Sequence, residues 1–184
     1  MTHYLPQNHQ GDADIIRIID FVKTVRPSLC ISEYPNACEL PELLALPANQ
    51  ATTRLWSNNE GNLVGFAYVD VFQTLRFDLA WQLQDPALEQ AILAWGQTCL
   101  DGKHPFLCAT SHDADHQRLD FFERHQFTPQ SDSIVHMMCS LDNVIPEPTL
   151  PSGFTIRPIA GEAEAETIAD LHRTAFGTPH MTTE

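Results

Sequence analysis

The sequence predicts an α/β fold, a mixed and mostly antiparallel sheet flanked by helices. Three observations point there. Two apolar runs, 52–56 and 63–72, lie either side of Ser57-Asn58-Asn59-Glu60-Gly61-Asn62, a turn composition that joins strands into a hairpin. Asp85-Pro86 then starts a stretch whose apolar residues fall at helical spacing. A short apolar run, 106–110, follows that helix, so strand, helix and strand come in the order of a βαβ unit.

Taken along the chain, Asp12 to Val25 reads as a helix, because Ile15, Ile16, Ile19 and Val22 share a face and Pro27 stops it. A shorter helix is expected over Glu39 to Leu46, between Pro35 and Pro47. The hairpin follows, Thr52 to Trp56 with Leu63 to Phe72, and Leu75 to Leu83 reads as a third antiparallel strand. In the next helix Asp85 is an N-cap and Pro86 the first helical residue; Leu88, Ala91, Ile92, Trp95 and Cys99 form the stripe, and Asp101-Gly102 ends it. Phe106 to Thr110 suits a buried strand. Asp115 to His125 suits an amphipathic helix with Leu119 and Phe122 inward, and Ser133 to Leu141 a final strand. One domain is thus expected over 1–142. The three prolines of 143–151 mark a linker. Within 152–184, Phe154 to Ile159 reads as a strand and Glu162 to Phe176 as a helix.

Composition bounds the partners. Hydrophobic residues make up 43% and charged residues 18%, ordinary values for a globular protein. The net charge of −14 opposes phosphate backbones, so nucleic acid is not an expected partner, whereas a cationic amine suits the field. No apolar run reaches the roughly 18 residues of a membrane helix, and Met1 to Gln7 shows no signal-peptide pattern. Five cysteines without CxxC spacing read as free thiols, so a cytoplasmic location is expected.

Leu119-Asp120-Phe121-Phe122-Glu123-Arg124-His125-Gln126-Phe127 resembles the (F/L)YE(K/R)xGF signature that closes the last helix of GNAT acetyltransferases. The order of hairpin, third strand, proline-started helix, short strand and this helix is similar to that superfamily. Gly153-Phe154-Thr155-Ile156-Arg157-Pro158, with the helix ending Ala175-Phe176-Gly177, is similar to the opening of another GNAT domain. Ile16 and Ile19 in the first helix are matched by Ile168 and Leu171 in the last. The resemblance implies a degenerate N-terminal domain of a tandem-GNAT protein plus the start of a second.

The resemblance also implies a function: acetyl-CoA-dependent transfer of an acyl group to an amine, a small molecule or a peptide. The thioester would sit in an opening between the third hairpin strand and the next, parallel strand. The pyrophosphate would rest on the N-terminus of the helix after Leu83, where unpaired amides and the helix dipole attract anions. Trp81 and Leu83 on the strand side, and Ala87, Leu88 and Glu89 on the helix, would meet the cofactor. Asp115 falls where the family often has an asparagine facing the cofactor arm. Asp78 and Asp70 are the candidate general bases, and Phe122 falls at the usual tyrosine. The family's (Q/R)xxGx(G/A) loop is missing from Gln82-Leu83-Gln84-Asp85-Pro86-Ala87-Leu88-Glu89, which holds no glycine and two carboxylates. The alternative expectation is therefore a non-catalytic GNAT-like module that supports a catalytic partner domain. Homodimerisation, or packing with a second GNAT domain, is expected to cover the trailing unit.

Other patterns read more plainly. His112-Asp113-Ala114-Asp115-His116 has two histidines four apart, but a capping loop is the simpler reading and no metal is expected. His136 shares a strand face with Ile134 and Met138, as a core or interface residue does. Trp56, Trp81 and Trp95 are expected in the core.

Overall fold

The computed structural model describes residues 4–100, 102, 106–131, 133–135, 142, 144 and 147–177. Its first strand, β1 (Leu5–Asn8), is short, fully exposed and contains Pro6, so it carries no apolar alternation; as an edge strand it tolerates the proline. It pairs antiparallel with β2 (Thr53–Ser57), with Leu5 opposite Ser57. β3 (Leu63–Val69) and β4 (Thr74–Leu79) complete an antiparallel meander, and β5 (Cys108–Ala109) joins β4 in parallel, giving the order β1-β2-β3-β4-β5. The sheet is therefore mixed and mostly antiparallel, with helices packed on it.

The β2–β3 turn is organised by Asn58, whose side chain accepts from the Glu60 and Asn62 amides while its own amide donates to the Asn62 carbonyl. Gly61 takes φ +84°, the left-handed region where glycine is unstrained. The third strand ends at Leu79 rather than Leu83, because a 3₁₀ turn over Trp81–Leu83 and a left-handed Gln84 bend the chain into the next helix.

On the sheet lie α1 (Asp12–Val25) and α4 (Pro86–Thr98), with the short α2 (Leu40–Ala45) and α3 (Pro47–Ala51) between α1 and β2. Pro47 does not end α2 so much as open α3, occupying its first turn, where a missing N–H costs nothing. α1 buries Ile15, Ile18, Phe21 and Val22, while Ile16 faces out. α4 buries Leu88, Ile92, Leu93 and Trp95, with Ala91 exposed. These meet Leu55, Phe66, Phe77 and Leu79 from the strands in one core. Each large apolar side chain so buried stabilises by roughly 1.5–3 kcal/mol. Trp56 and Trp95 pack edge to face at 5.5 Å.

α5 (His116–Arg124) buries Phe121 completely and half-buries Phe122, whereas Leu119 is 39% exposed. The inward stripe is Arg118, Phe121, Phe122 and His125. The expectation of Leu119 on the inner face is thus corrected, and the stripe includes a cation.

The chain divides into two compact units, Met1–Ser131 and Asp132–Glu184. In the second, a 3₁₀ turn (Gly161–Glu164) leads into α6 (Ala165–Phe176), which Gly177 ends at φ +63°. The strand expected over Phe154 to Ile159 does not form. Phe154 and Ile156 are 70% and 80% exposed, and an isolated strand without a hydrogen-bonded neighbour is not stable in water. Of the strand expected over 133–141, residues 133–135 have no regular structure; His136, Met138 and Cys139 lie outside the described residues.

Candidate functional site

β5 pairs with β4 only at Thr74–Cys108 and Leu75–Ala109. Beyond Leu75, β4 has no strand beside it on that side among the described residues, so a gap opens along Arg76–Leu79. This is where the resemblance places a thioester. The gap is filled by a side chain. Arg118 of α5 donates from Nη1 to the Phe77 carbonyl at 2.8 Å and from Nη2 to Asp78 Oδ1 at 2.7 Å. Its guanidinium lies over the rings of Phe77 and Trp81, at 5.0 and 5.8 Å from their centres.

Asp78 is fully buried and carries a second guanidinium. Arg26, the residue capping α1, donates from Nε to both Asp78 oxygens at 3.1 Å and from Nη2 to Oδ2 at 2.8 Å. Arg26 Nη1 reaches the carbonyls of Glu33 and Pro35, both at 2.8 Å, which ties the α1–α2 loop to β4. Asp115 caps α5 by accepting from the Arg118 amide, and its other oxygen takes the Arg118 Nε at 3.1 Å. Burial opposes the charge on Arg118, but Asp78, Glu33 and Asp115 more than offset this and hold its pKa above the ordinary arginine value. Asp78 therefore spends its lone pairs on two cations and turns none toward a substrate amine. Asp115 faces Arg118 and is wholly buried, with no surface toward a cofactor arm.

Asp70 is also buried, at the β3–β4 turn. Oδ1 accepts from the Phe72 and Thr74 amides at 2.9 and 3.0 Å, and Oδ2 from Arg76 Nε at 3.1 Å. Both aspartates thus sit in saturated hydrogen-bond environments.

The N-terminus of α4 is equally committed. Pro86 has no N–H. The Ala87 amide donates to Asp85 Oδ1 at 2.9 Å, and the Leu88 and Glu89 amides to the Asp85 carbonyl at 3.1 and 3.2 Å. Upstream, the Leu83 and Gln84 amides bond the carbonyls of Ala80 and Trp81. Tyr4 Oη donates to Asp85 Oδ2 at 2.6 Å; with the Ala87 amide, this bond holds the Asp85 carboxyl below its ordinary range. Glu89 is buried and paired with Arg124 at 2.7 Å, the last residue of α5, and with His125 at 2.8 Å, its C-cap. A shallow cleft of about 310 Å³ runs between the two helices past Trp81, Gln84, Glu89, Gln117 and Arg124.

A diphosphate needs free amides at this helix start, and none of the first-turn donors is free. Asp85 already supplies the anionic partner. These residues do not fit a coenzyme A pyrophosphate at α4. Phe122, at the tyrosine position, packs against Phe127 at 4.9 Å and has no hydroxyl to protonate a leaving thiolate. Of the residues expected to form the site, Trp81, Leu83, Ala87, Leu88 and Glu89 do come together at the start of α4. Asp78 and Asp115 meet through Arg118, and Asp70 stands apart with Arg76. The sequence reading missed Arg26 and Arg118, and the signal for Arg118 was its place on the Phe121–Phe122 stripe.

His112 Nδ1 accepts from the Ala114 amide at 3.0 Å within the loop before α5, while His116 is exposed. No helix is long and apolar enough to cross a membrane among the described residues. Cys30, Cys38, Cys99 and Cys108 are free thiols.

No protein-family model matches the chain. No curated protein matches it either. Among solved structures, a GCN5-related N-acetyltransferase from Sphaerobacter thermophilus superposes with a TM-score of 0.63 at 17% identity, covering 98% of this chain. The chain spans 60% of that protein's length. The fold is accordingly that of GCN5-related N-acetyltransferases, the GNAT fold.

Proposed function

We propose that this chain is the N-terminal GNAT-fold module of an acetyl-CoA-dependent N-acyltransferase. Acyl transfer to an amine is carried by a partner GNAT domain, and this module is structural. One observation carries the reading: every first-turn amide of α4, the place where a GNAT domain takes the cofactor's pyrophosphate, is already bonded within the chain. Arg118 in the β4–β5 gap supports it, because the Phe77 carbonyl is engaged there. The coverage of only part of the longer neighbour is in keeping with a further domain. Isothermal titration of the chain with acetyl-CoA tests the reading. No heat at millimolar cofactor is expected, and micromolar binding would sink it.

A second reading, that this module itself transfers the acyl group, is favoured by the cleft between α4 and α5, where Arg124 and Gln117 stand near Trp81. The same titration separates the two.

Homodimerisation or packing with the second GNAT domain is also part of the proposal. α6 exposes Leu171 and Phe176 at 64% and 72%, and leaving them in water is unfavourable by about 25 cal/mol per Å². Light scattering reporting a dimer, with the segment after Pro151 resistant to proteolysis, is the expected result; a monomer cut rapidly there counts against it.

A further inference from the structure

Behind the Asp78 ion pairs lies a second group of side chains. Cys30 and Glu33 are three residues apart on a tight turn, closed by the Glu33 amide donating to the Cys30 carbonyl at 3.1 Å. Together with Asp115 at the start of α5, they place one thiol and two carboxylate oxygens within 4.8 Å of one another. All three residues are buried. The positions are fixed by other bonds: the Glu33 carbonyl is held by Arg26, and Asp115 is held by Arg118.

Two features of this cluster are unbalanced. Glu33 is 8% exposed, and its Oε2 has no hydrogen-bond partner. A buried polar atom of that kind is costly unless something is meant to meet it. The formal charges do not cancel either. Arg26 and Arg118 face three buried carboxyl groups, Asp78, Asp115 and Glu33, so with all three ionised one negative charge is left over in the interior.

We propose that Cys30, Glu33 and Asp115 form a binding site for a single divalent cation of the zinc class. A divalent ion that takes Cys30 as thiolate brings the cluster to neutrality and gives Glu33 Oε2 its partner. Mixed sulfur and carboxylate donors select a borderline metal over magnesium or calcium. Metal–ligand distances of about 2.0–2.3 Å bridge the three atoms once the side chains close by roughly an ångström. Arg26 is committed to Asp78 and to the Glu33 and Pro35 carbonyls, and Arg118 to Asp78, the Phe77 carbonyl and Asp115; each Asp115 oxygen accepts one bond from Arg118, amide or Nε, and keeps a lone pair for a metal. A proton on Glu33 balances the charge as well, and burial pushes its carboxyl pKa up; the metal titration below separates the two. The site would tie the α1–α2 loop to α5, so its role is structural, and it does not depend on the function proposed above.

The test is titration of the chelator-treated chain with cobalt(II), whose thiolate charge-transfer absorption reports sulfur ligation. One equivalent is expected to give the band, and zinc to displace it. Cys30→Ser should abolish it, Glu33→Gln should weaken affinity by at least about 10-fold, and Cys38→Ser with Cys108→Ser and Cys139→Ser should leave it intact. Absence of the band, or its survival in Cys30→Ser, overturns the proposal. Should Cys30→Ser fail to fold, unchanged cobalt affinity in Glu33→Gln overturns it equally.

Discussion

Arg118 Nη2 stands 2.7 Å from Asp78 Oδ1, across 40 residues of sequence, in a gap that the fold leaves beside β4. Arg26 closes on the same carboxylate from the other side. With every member buried, removing the shared anion leaves two guanidinium groups facing each other in the core. Asp78→Ala is expected to lose about 3–5 kcal/mol, read from the urea midpoint. A loss below 1 kcal/mol would mean that water reaches the cluster.

The Asp85 cap carries a pH signature. Its carboxyl is held below the ordinary value of 3.8, chiefly by Tyr4 and then by the Ala87 amide. Its contribution is therefore complete above that value and disappears as pH falls through the lower folded-state value. Asp85→Ala should cost about 0.5–2 kcal/mol at neutral pH, and the gap to the parent chain should narrow in acid. Equal gaps at neutral pH and at pH well below the carboxylate range would contradict the assignment.

The face of α5 can be checked directly. Phe121→Ala should cost about 3–5 kcal/mol, since Phe121 is fully buried among Phe77, Trp81 and Phe122. Leu119→Ala should stay within about 0.5 kcal/mol. The reverse ranking in thermal denaturation would restore Leu119 to the core.

Tyr68 predicts a change of opposite sign. Its hydroxyl is buried in the sheet without a partner, and burial pushes its pKa far up. Tyr68→Phe removes an unsatisfied group while keeping the ring, so stability should hold or rise by up to about 1–3 kcal/mol. Loss of stability on guanidinium unfolding would show that the hydroxyl has a partner.

What the sequence made legible was local. Asp85-Pro86 named the start of α4, Asn58 to Asn62 named the hairpin turn, and the Leu88–Ile92–Trp95 stripe named its buried face, because each depends on residues within two turns of one another. β1 escaped because four exposed residues around Pro6 carry no period, and α3 because Pro47 reads equally as a stop and as a start. The trailing strand failed for the converse reason: 154–159 has strand composition, but pairing is a property of a neighbour. The site was least legible. Asp78 was picked out by its strand position, yet its chemistry is set by Arg26, 52 residues before it, and Arg118, 40 after it. Only a guanidinium on an otherwise aromatic stripe hinted at this, and Glu33 left no local trace at all.

Arg118 also constrains how this lineage could change. Reopening the gap beside β4 means discarding the arginine, but any single replacement strands Asp115 in the interior and takes one of the two cations from Asp78 before a ligand is gained. A cofactor-accepting gap there would need several coordinated substitutions, so the arginine works as a ratchet, hard to reverse one codon at a time.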